Sequence, residues 1–196
     1  HPACSTGSFA PPLTKDDGDW TLAVTATLNG ATSGAGSDVY TLDTTPPGDV
    51  TLGGDSGPQN TASVSWTVAP GAGTDSVRCE VRHNGTLTQS TNACGGTVPL
   101  TFTDPVADQG TWTLTAIGYD QAGNASVTPA TRSVVYDTTL PAAPGVSLTS
   151  ATPTTVRATT WSLSTSESPG TFRCRWTGPS LSTSASACDA SYAFPI

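Results

Sequence analysis

Short stretches in which apolar and polar residues alternate recur along the whole chain, and this alternation predicts half-buried β-strands. The stretches are rich in Thr and Val, and clusters of Gly, Pro, Asn and Asp separate them. No stretch keeps the period of an amphipathic helix. We therefore predict an all-β fold with strands at residues 19–27, 38–42, 49–52, 62–68, 76–83, 98–103, 111–120 and 131–136.

Several of these strands lie in segments that recur at a fixed interval. Trp20 and Trp112 lie in similar segments 92 residues apart, and Asp43 and Asp137 lie in similar segments 94 residues apart. An interval of this length indicates tandem domains. We divide the chain into residues 1–46, the C-terminal part of one repeat, residues 47–138, a complete repeat, and residues 139–196, the N-terminal part of a third. The strand density predicts tandem immunoglobulin-like antiparallel β-sandwiches, one complete and two partial.

The two partial repeats leave two explanations open. In the simpler one, the chain is a segment of a longer array. In the other, the C-terminal partial repeat of one copy is completed by the N-terminal partial repeat of the next, which would build a fibre by strand exchange. Cys4 and Cys188 occupy the same repeat position, and this overlap counts against the second explanation.

Charge and composition limit the kinds of partner. Asp and Glu outnumber Lys and Arg by 15 to 7, which gives a formal net charge of −8, and charged residues are only 11% of the chain. Nucleic acids and anionic membrane surfaces attract clustered Lys and Arg, so we expect neither as a partner. No apolar run approaches the roughly 18 residues of a spanning helix, so we expect no membrane insertion.

The five cysteines follow the repeat. Cys79 and Cys94 are 15 residues apart and Cys174 and Cys188 are 14 apart, each pair beginning on a strand-like segment and ending after a polar loop. We predict a disulfide within each pair, and Cys4 would pair outside the chain or with another molecule. Zinc sites usually need closely spaced Cys or nearby His, which the sequence lacks. Disulfides imply an oxidising location, and hence a secreted or cell-surface protein.

A catalytic site is not predicted. Residues 54–58, Gly-Asp-Ser-Gly-Pro, resemble the nucleophile loop of chymotrypsin-like proteases, but that mechanism needs a histidine base oriented by an acid. His1 and His83 are the two histidines, and neither lies in a suitable context. We interpret residues 54–58 as a turn between the first two strands of the repeat, and we expect no enzyme activity.

Calcium is the one metal that the sequence leaves open. Asp120, Asn124 and Asp137 offer the oxygen ligands that hard cations take, and Asp137 lies where one domain passes to the next. The simpler interpretation is that residues 120–124 form a hairpin loop whose Gly and Asn accept positive φ. We therefore expect no cofactor and keep calcium as the alternative.

The tryptophans fall into two groups. Trp20, Trp66, Trp112 and Trp161 recur at equivalent positions within alternating strands, and we interpret them as core residues. Trp176 has no counterpart in the complete repeat, so it is the candidate for an exposed contact with a ligand such as a glycan.

The complete repeat resembles the bacterial immunoglobulin-like tandem repeats of secreted and cell-surface proteins, in particular those of actinobacteria. The segments that carry the resemblance are residues 77–79, Cys94, 109–113, 118–124, 128–132 and 136–139, with residues 171–174 in the third repeat. Residues 29–31 depart from the pattern, because Asn-Gly-Ala stands at the place of residues 120–124. The resemblance implies stalk, spacer or adhesive functions at a cell surface, and no catalysis.

We therefore predict an extracellular structural stalk or spacer whose partners are neighbouring repeats or copies of itself. The proline-containing linkers, Pro46-Pro47 and residues 140–144, would hold successive domains end to end. One alternative is an adhesin-type module that binds a host or surface glycan or protein. Others are a self-assembling filament subunit completed by strand exchange, and an accessory domain of a secreted hydrolase.

Overall fold

The computed structural model of the protein describes residues 16–149, 152, 160–166, 171–189 and 191–193. Every regular element among these residues is a β-strand, so the all-β prediction is confirmed. The described part of the chain contains no helix that could cross a bilayer. The chain divides into two compact units, His1–Thr138 and Thr139–Ile196.

An antiparallel hairpin, which we call the N-terminal hairpin, begins the described part of the first unit. Its strands are β1 (Gly18–Val24), β2 (Thr27–Leu28), β3 (Ala31–Thr32) and β4 (Gly36–Leu42), with β1 paired to β4 and β2 to β3. Asn29 and Gly30 form the turn at its tip, with φ of 50° and 81°. Asn and Gly accept positive φ more readily than other residues, which favours a tight two-residue turn here.

The complete repeat is a sandwich of two sheets. Its strands are β5 (Thr51–Gly54), β6 (Gly57–Gln59), β7 (Ser63–Ala69), β8 (Ser76–His83), β9 (Thr86–Thr91), β10 (Gly96–Thr101), β11 (Gly110–Tyr119) and β12 (Ala130–Tyr136). One sheet has the order β10-β7-β5 and the other the order β6-β12-β11-β8-β9. β6 pairs with β12 in parallel, so the chain passes from one sheet to the other between β5 and β6. This is an immunoglobulin-like sandwich.

Alternate residues of both sheets form the core between them. The buried apolar residues are Val50, Val64, Trp66, Val68, Val77, Cys79, Val81, Phe102, Trp112, Leu114, Ala116, Val134 and Tyr136. Phe102 stacks on Tyr136 with ring centroids 4.0 Å apart. Trp66 and Trp112 are therefore core residues, as their positions in alternating strands predict.

The second unit contains three small sheets in its described residues. β13 (Gly145–Leu148), β14 (Thr160–Ser164) and β19 (Ser191–Ala193) form one sheet, β15 (Phe172–Cys174) pairs with β18 (Ser186–Cys188), and β16 (Thr177–Gly178) pairs with β17 (Leu181–Ser182). The first sheet corresponds to β5, β7 and β10 of the complete repeat. In the same way, β15 and β18 correspond to β8 and β9.

The register of the strands establishes which hairpins are equivalent. Gly18 pairs with Leu42 in the N-terminal hairpin, and Gly110 pairs with Tyr136 in the β11–β12 hairpin. Both glycines have positive φ, 136° and 123°. The 92- and 94-residue intervals in the sequence therefore match a structural equivalence of β1 with β11 and of β4 with β12.

Candidate functional site: the linker between repeats

The linker that follows the N-terminal hairpin runs from Asp43 to Gly48, and its end belongs to the complete repeat. Pro47 is buried, and the Gly48 amide donates a hydrogen bond to the Ala72 carbonyl at 2.8 Å. A side chain at Gly71 would collide with the Gly48 backbone. This close approach requires glycine at position 71.

The carboxylate of Asp17, directly before β1, holds the start of the linker. It accepts hydrogen bonds from the Thr44 amide at 3.0 Å, the Thr44 hydroxyl at 2.7 Å and the Thr45 hydroxyl at 2.6 Å. These bonds favour the ionised carboxylate and lower the pKa of Asp17, with the Thr45 hydroxyl the largest cause and the Thr44 hydroxyl the next. The first linker residues are therefore tied to the hairpin that they leave.

The complete repeat has the same arrangement at its own exit. Gln109 directly precedes β11 as Asp17 precedes β1, and its side-chain amide donates to the Thr138 hydroxyl at 3.2 Å and to the Pro105 carbonyl at 2.8 Å. The Thr138 hydroxyl itself donates to the Pro105 carbonyl at 2.9 Å. Thr138 follows Thr44 by 94 residues. In both hairpins, a polar side chain before the first strand binds a threonine that follows the second.

The loop of residues 120–124, between β11 and β12, contacts the linker from the side of the complete repeat. Asp120 closes the loop by accepting hydrogen bonds from the Asn124 amide at 2.8 Å and from the Asn124 side chain at 2.9 Å. The same side-chain amide donates to the Asp43 carbonyl at 3.1 Å. A side-chain amide has two N–H donors, so Asn124 can make both bonds. Asn124 therefore binds the backbone of the linker that precedes its own repeat.

The three calcium candidates do not form one site. Asp120 and Asn124 lie together after the last residue of β11, where the Asn124 side chain is the largest cause of the lowered pKa of Asp120. Asp137 follows Tyr136, which pairs with Gly110 at the opposite end of β11. The 10 residues of β11 span on the order of 30 Å, so Asp137 cannot share an ion with the other two. Among the described residues, no group of three or more His, Cys, Asp or Glu is placed to hold a metal.

Both predicted disulfides form, Cys79–Cys94 and Cys174–Cys188. Cys79 lies on β8 of the five-stranded sheet and is 2% exposed, and Cys94 lies just before β10 of the other sheet. The first bond therefore joins β8 to the loop between β9 and β10, and the Cys94 amide also donates a hydrogen bond to the Val77 carbonyl of β8 at 3.0 Å. Cys4 lies outside the described residues.

Residues 54–58, the segment that resembles a protease loop, connect the two sheets of the complete repeat. The Asp55 carboxylate accepts a hydrogen bond from the Ser65 amide at 2.8 Å. The Asp55 carbonyl accepts from Nε1 of Trp66 at 3.2 Å and from Nε of Arg132 at 3.0 Å. Asp55 thus fastens the β5–β6 connection to the core and to β12.

His83 is far from this segment. It pairs with Trp112 on β11, Trp112 pairs with Val134 on β12, and Val134 pairs with Gly57 on β6. Three strand spacings, or roughly 14 Å, therefore separate His83 from Gly57. The imidazole stacks on the Trp112 ring with centroids 4.2 Å apart, so it serves as packing for the core.

Trp176 is half-buried in the second unit. Its ring packs against Trp161 edge to face, with centroids 5.9 Å apart. Both line a cavity of about 330 Å³, together with Pro144, Val146, Leu163, Phe172 and Cys174. Trp176 follows Cys174 by two residues, as Val81 follows Cys79 in the complete repeat. Cys79 and Val81 are both buried. The contact with Trp161 therefore places the Trp176 ring against the sheet that contains β14.

No protein-family model and no curated protein matches the chain. Among solved structures, domains d3–d4 of the rat CD45 extracellular region are similar over 68% of this chain and 71% of theirs, with 13% identity and a TM-score of 0.39. The fibronectin(III)-like modules of Clostridium thermocellum CbhA are similar over 74% and 77%, with 16% identity and a TM-score of 0.37. The FN1–FN3 domains of chicken CNTN1 are similar over 89% and 66%, with 13% identity and a TM-score of 0.31. Because these TM-scores are below 0.5, the immunoglobulin-like assignment rests on the strand order and core of the chain itself.

Proposed function

We propose that the chain is a structural segment of an extracellular bacterial stalk or spacer, in which the linker of residues 43–48 holds the N-terminal hairpin and the complete repeat in a fixed orientation. The observation that carries this proposal is the bonding of one linker to both of its neighbours. Asp17 binds Thr44 and Thr45 on the side of the preceding repeat, and Asn124 binds the Asp43 carbonyl on the side of the following repeat.

A linker bonded in this way differs physically from a flexible tether. Gly- and Ser-rich linkers behave as random coils, whereas prolines limit the conformations that Pro46 and Pro47 and their neighbours can adopt. Hydrogen bonds to Asp17 and Asn124 restrict the remaining linker backbone further. A spacer made of such units transmits a force or a displacement along its length, which is what a stalk requires.

The disulfides support both the location and the mechanical role. Disulfides persist in oxidising compartments, so two of them in one short chain support a secreted or surface location. The Cys79–Cys94 bond also prevents the chain between these residues from extending under load. A bacterial source is supported by the motif resemblance described above.

The proposal favours a spacer over an adhesin because of Trp176. An aromatic platform for glycans needs an exposed ring, whereas Trp176 packs against Trp161 at a position equivalent to the buried Val81. The net charge of −8 in turn supports a role without nucleic acid. We propose no catalytic function, since Asp55 and His83 have structural roles.

Single-molecule pulling of the chain between two handle domains tests the proposal. We expect the complete repeat to unfold in one step, with a length gain that reducing agent increases by about 50 Å, because the disulfide encloses 15 residues of about 3.6 Å each. A glycan array probed with the same protein should show no binding. A chain that extends without a force peak, or that binds a glycan specifically, would contradict the stalk proposal.

A further inference from the structure

The chain enters and leaves the complete repeat at opposite ends, and this decides how a pulling force loads the repeat. Asn124, just beyond the last residue of β11, binds the entering linker at the Asp43 carbonyl. Tyr136, the last residue of β12, pairs with Gly110, the first residue of β11, and leads into the exit. A force along the chain therefore draws the first strands of the repeat towards one end of β11 and draws β12 towards the other end.

The parallel pairing of β6 with β12 converts this force into shear. The two strands run in the same direction, with Gly57 opposite Val134 and Gln59 opposite Tyr136. The force pulls β6 back past its own beginning and pulls β12 forwards past its own end, so the strands are driven to slide along each other. The hydrogen bonds between them then carry the load together, whereas an antiparallel hairpin pulled at its two free ends opens one bond at a time.

Arg132 of β12 extends this contact with its side chain. Its Nε donates a hydrogen bond to the Asp55 carbonyl at 3.0 Å, and its guanidinium also donates to the Gly54 carbonyl. Hydrogen bonds from a charged donor are stronger than those between neutral groups, and the planar guanidinium has enough donors for both carbonyls. At the other end of β6, the Asp137 amide donates to the Gln59 carbonyl at 2.9 Å. The bonded contact therefore runs from Gly54 to Gln59, although β6 itself has only three residues.

Asp55 also fastens this segment to the other sheet through β7. Its carboxylate accepts a hydrogen bond from the Ser65 amide at 2.8 Å, and its own amide donates to the Ser65 carbonyl at 3.0 Å. Its carbonyl accepts from Nε1 of Trp66 at 3.2 Å, and Trp66 is fully buried. The chain between β5 and β6 is therefore held on one side by β7 and on the other by Arg132 of β12.

We propose that residues 54–59 and 132–137 form a shear clamp that sets the load at which the complete repeat unfolds, with Arg132 as its main side-chain cross-link. This inference rests on the stalk function proposed above, because a clamp of this kind acts only in a chain under tension. Residues 60–131 lie between the two clamped segments along the chain, so tension does not reach them while the clamp holds. The Cys79–Cys94 disulfide lies among these residues and therefore limits extension only after the clamp has opened.

Constant-force spectroscopy of the full chain carrying Cys4→Ser tests the clamp, with handles attached at Pro46→Cys and Leu140→Cys. Both positions are exposed and they flank the complete repeat. We expect Arg132→Met to raise the unfolding rate under load at least tenfold, the factor that the loss of a hydrogen bond from a charged group implies when that bond breaks at the barrier. The unfolding rate without load, measured in urea, should rise by a much smaller factor, because an unloaded chain is not forced to open the clamp first.

Two control variants separate a load-bearing role from a general loss of stability. Arg82→Met removes a guanidinium from β8 of the same sheet, where its bonds go to Glu80 and to the Gly85 carbonyl within one hairpin. Val81→Ala removes a buried side chain of β8 and should raise the unfolding rate without load at least as much as Arg132→Met does. Neither control should raise the rate under load by a larger factor than it raises the rate without load.

The comparison of the two rates distinguishes the clamp from the stalk function on which it rests. A larger factor under load than without load, for Arg132→Met alone, supports the clamp. Equal factors for Arg132→Met, or the same selective effect in Val81→Ala, overturn the clamp but leave the stalk proposal standing, since the repeat still resists the load. A repeat that extends without a force peak overturns both proposals.

Discussion

Asn124 and Asp43 are 81 residues apart in the sequence, yet the side-chain amide of Asn124 donates a hydrogen bond to the Asp43 carbonyl at 3.1 Å. Asp120 orients the amide by accepting its second N–H bond. The donor is therefore in place before the linker meets it, which lowers the entropy cost of the contact. A turn that looks purely local in the sequence thus fixes the connection between two repeats.

Replacing Asn124 should loosen the linker while leaving the sandwich folded. In Asn124→Ala, the Asp43 carbonyl loses its partner, and we expect the ¹⁵N order parameters of Thr44 and Thr45 to fall below about 0.6 from rigid values near 0.85. The stability of the complete repeat should change by about 1 kcal/mol or less. Gln121→Ala, an exposed neighbour in the same loop, is the control and should leave both amides rigid. Unchanged order parameters in Asn124→Ala would show that the contact does not restrain the linker.

The bond network of Asp17 should respond to acid. Its pKa in the folded chain lies below the ordinary 3.8, so the bonded carboxylate stabilises the linker at higher pH, and this contribution is lost as pH falls through the lowered value. We expect the Thr44 amide resonance to stay constant from neutral pH down to about the ordinary value and to shift only below it. Asp17→Asn should abolish the transition. A shift of the Thr44 amide resonance with its midpoint at pH 3.8 or above would contradict the hydrogen bonds to Asp17.

Equivalent leucines should differ in their contribution to folding. Leu114→Ala removes a fully buried side chain and should cost about 2–5 kcal/mol in the unfolding of the complete repeat. Leu22→Ala, in dilute monomeric protein, should cost less than about 1 kcal/mol, because Leu22 is 47% exposed. Urea titration followed by Trp fluorescence measures both. Similar costs at the two positions would mean that the face of the N-terminal hairpin is covered within a single molecule.

The Cys79–Cys94 disulfide should contribute strongly to the stability of the complete repeat. Cys79→Ala with Cys94→Ala should lower the free energy of unfolding of the complete repeat by roughly 3 kcal/mol, the value for a loop of this size in the simple entropy model. The matched pair Cys174→Ala with Cys188→Ala should leave that transition unchanged, because its bond lies in the second unit. If both pairs shift the same transition equally, the two units do not unfold independently.

Removal of calcium should have no effect on the linker. The Asp120 carboxylate already accepts two hydrogen bonds from Asn124, and Asp137 lies at the other end of β11. We expect the same melting temperature with a chelator and with millimolar calcium. A melting temperature that is several degrees higher with calcium would indicate that Asp120 and Asn124 bind the ion.

The strands of the core could be predicted because one of their faces is buried. β7, β8, β11 and β12 alternate between buried and exposed positions, and the sequence shows the same alternation. β9 was missed because all of its residues are exposed, so it has no apolar face to reveal it. β6 was missed because it is a three-residue strand containing Gly57 and Pro58, a composition typical of turns.

The candidate site was only partly predictable. The proline linkers, the disulfide pairs and the turn at residues 120–124 follow from local composition and spacing. The bond from Asn124 to Asp43 depends on how two distant segments meet, which no local pattern encodes. The role of Asp17 was not predicted for another reason. Its equivalent in the complete repeat is Gln109, which is uncharged, so the two positions do not resemble each other in the sequence. One feature of the sequence could have revealed the equivalence: Asp17 directly precedes Gly18, and Gln109 directly precedes Gly110, and each glycine begins the first strand of a hairpin.

The most direct test of the central claim is the distance between the N-terminal hairpin and the complete repeat in solution. Spin labels at Thr21→Cys on β1 and Gln89→Cys on β9, in the Cys4→Ser background and at a concentration where the chain is monomeric, report this distance by double electron–electron resonance. The account predicts one narrow distance distribution that broadens when Asp17→Asn and Asn124→Ala are introduced together. A distribution that is equally broad with and without these changes would contradict a linker held by its neighbours.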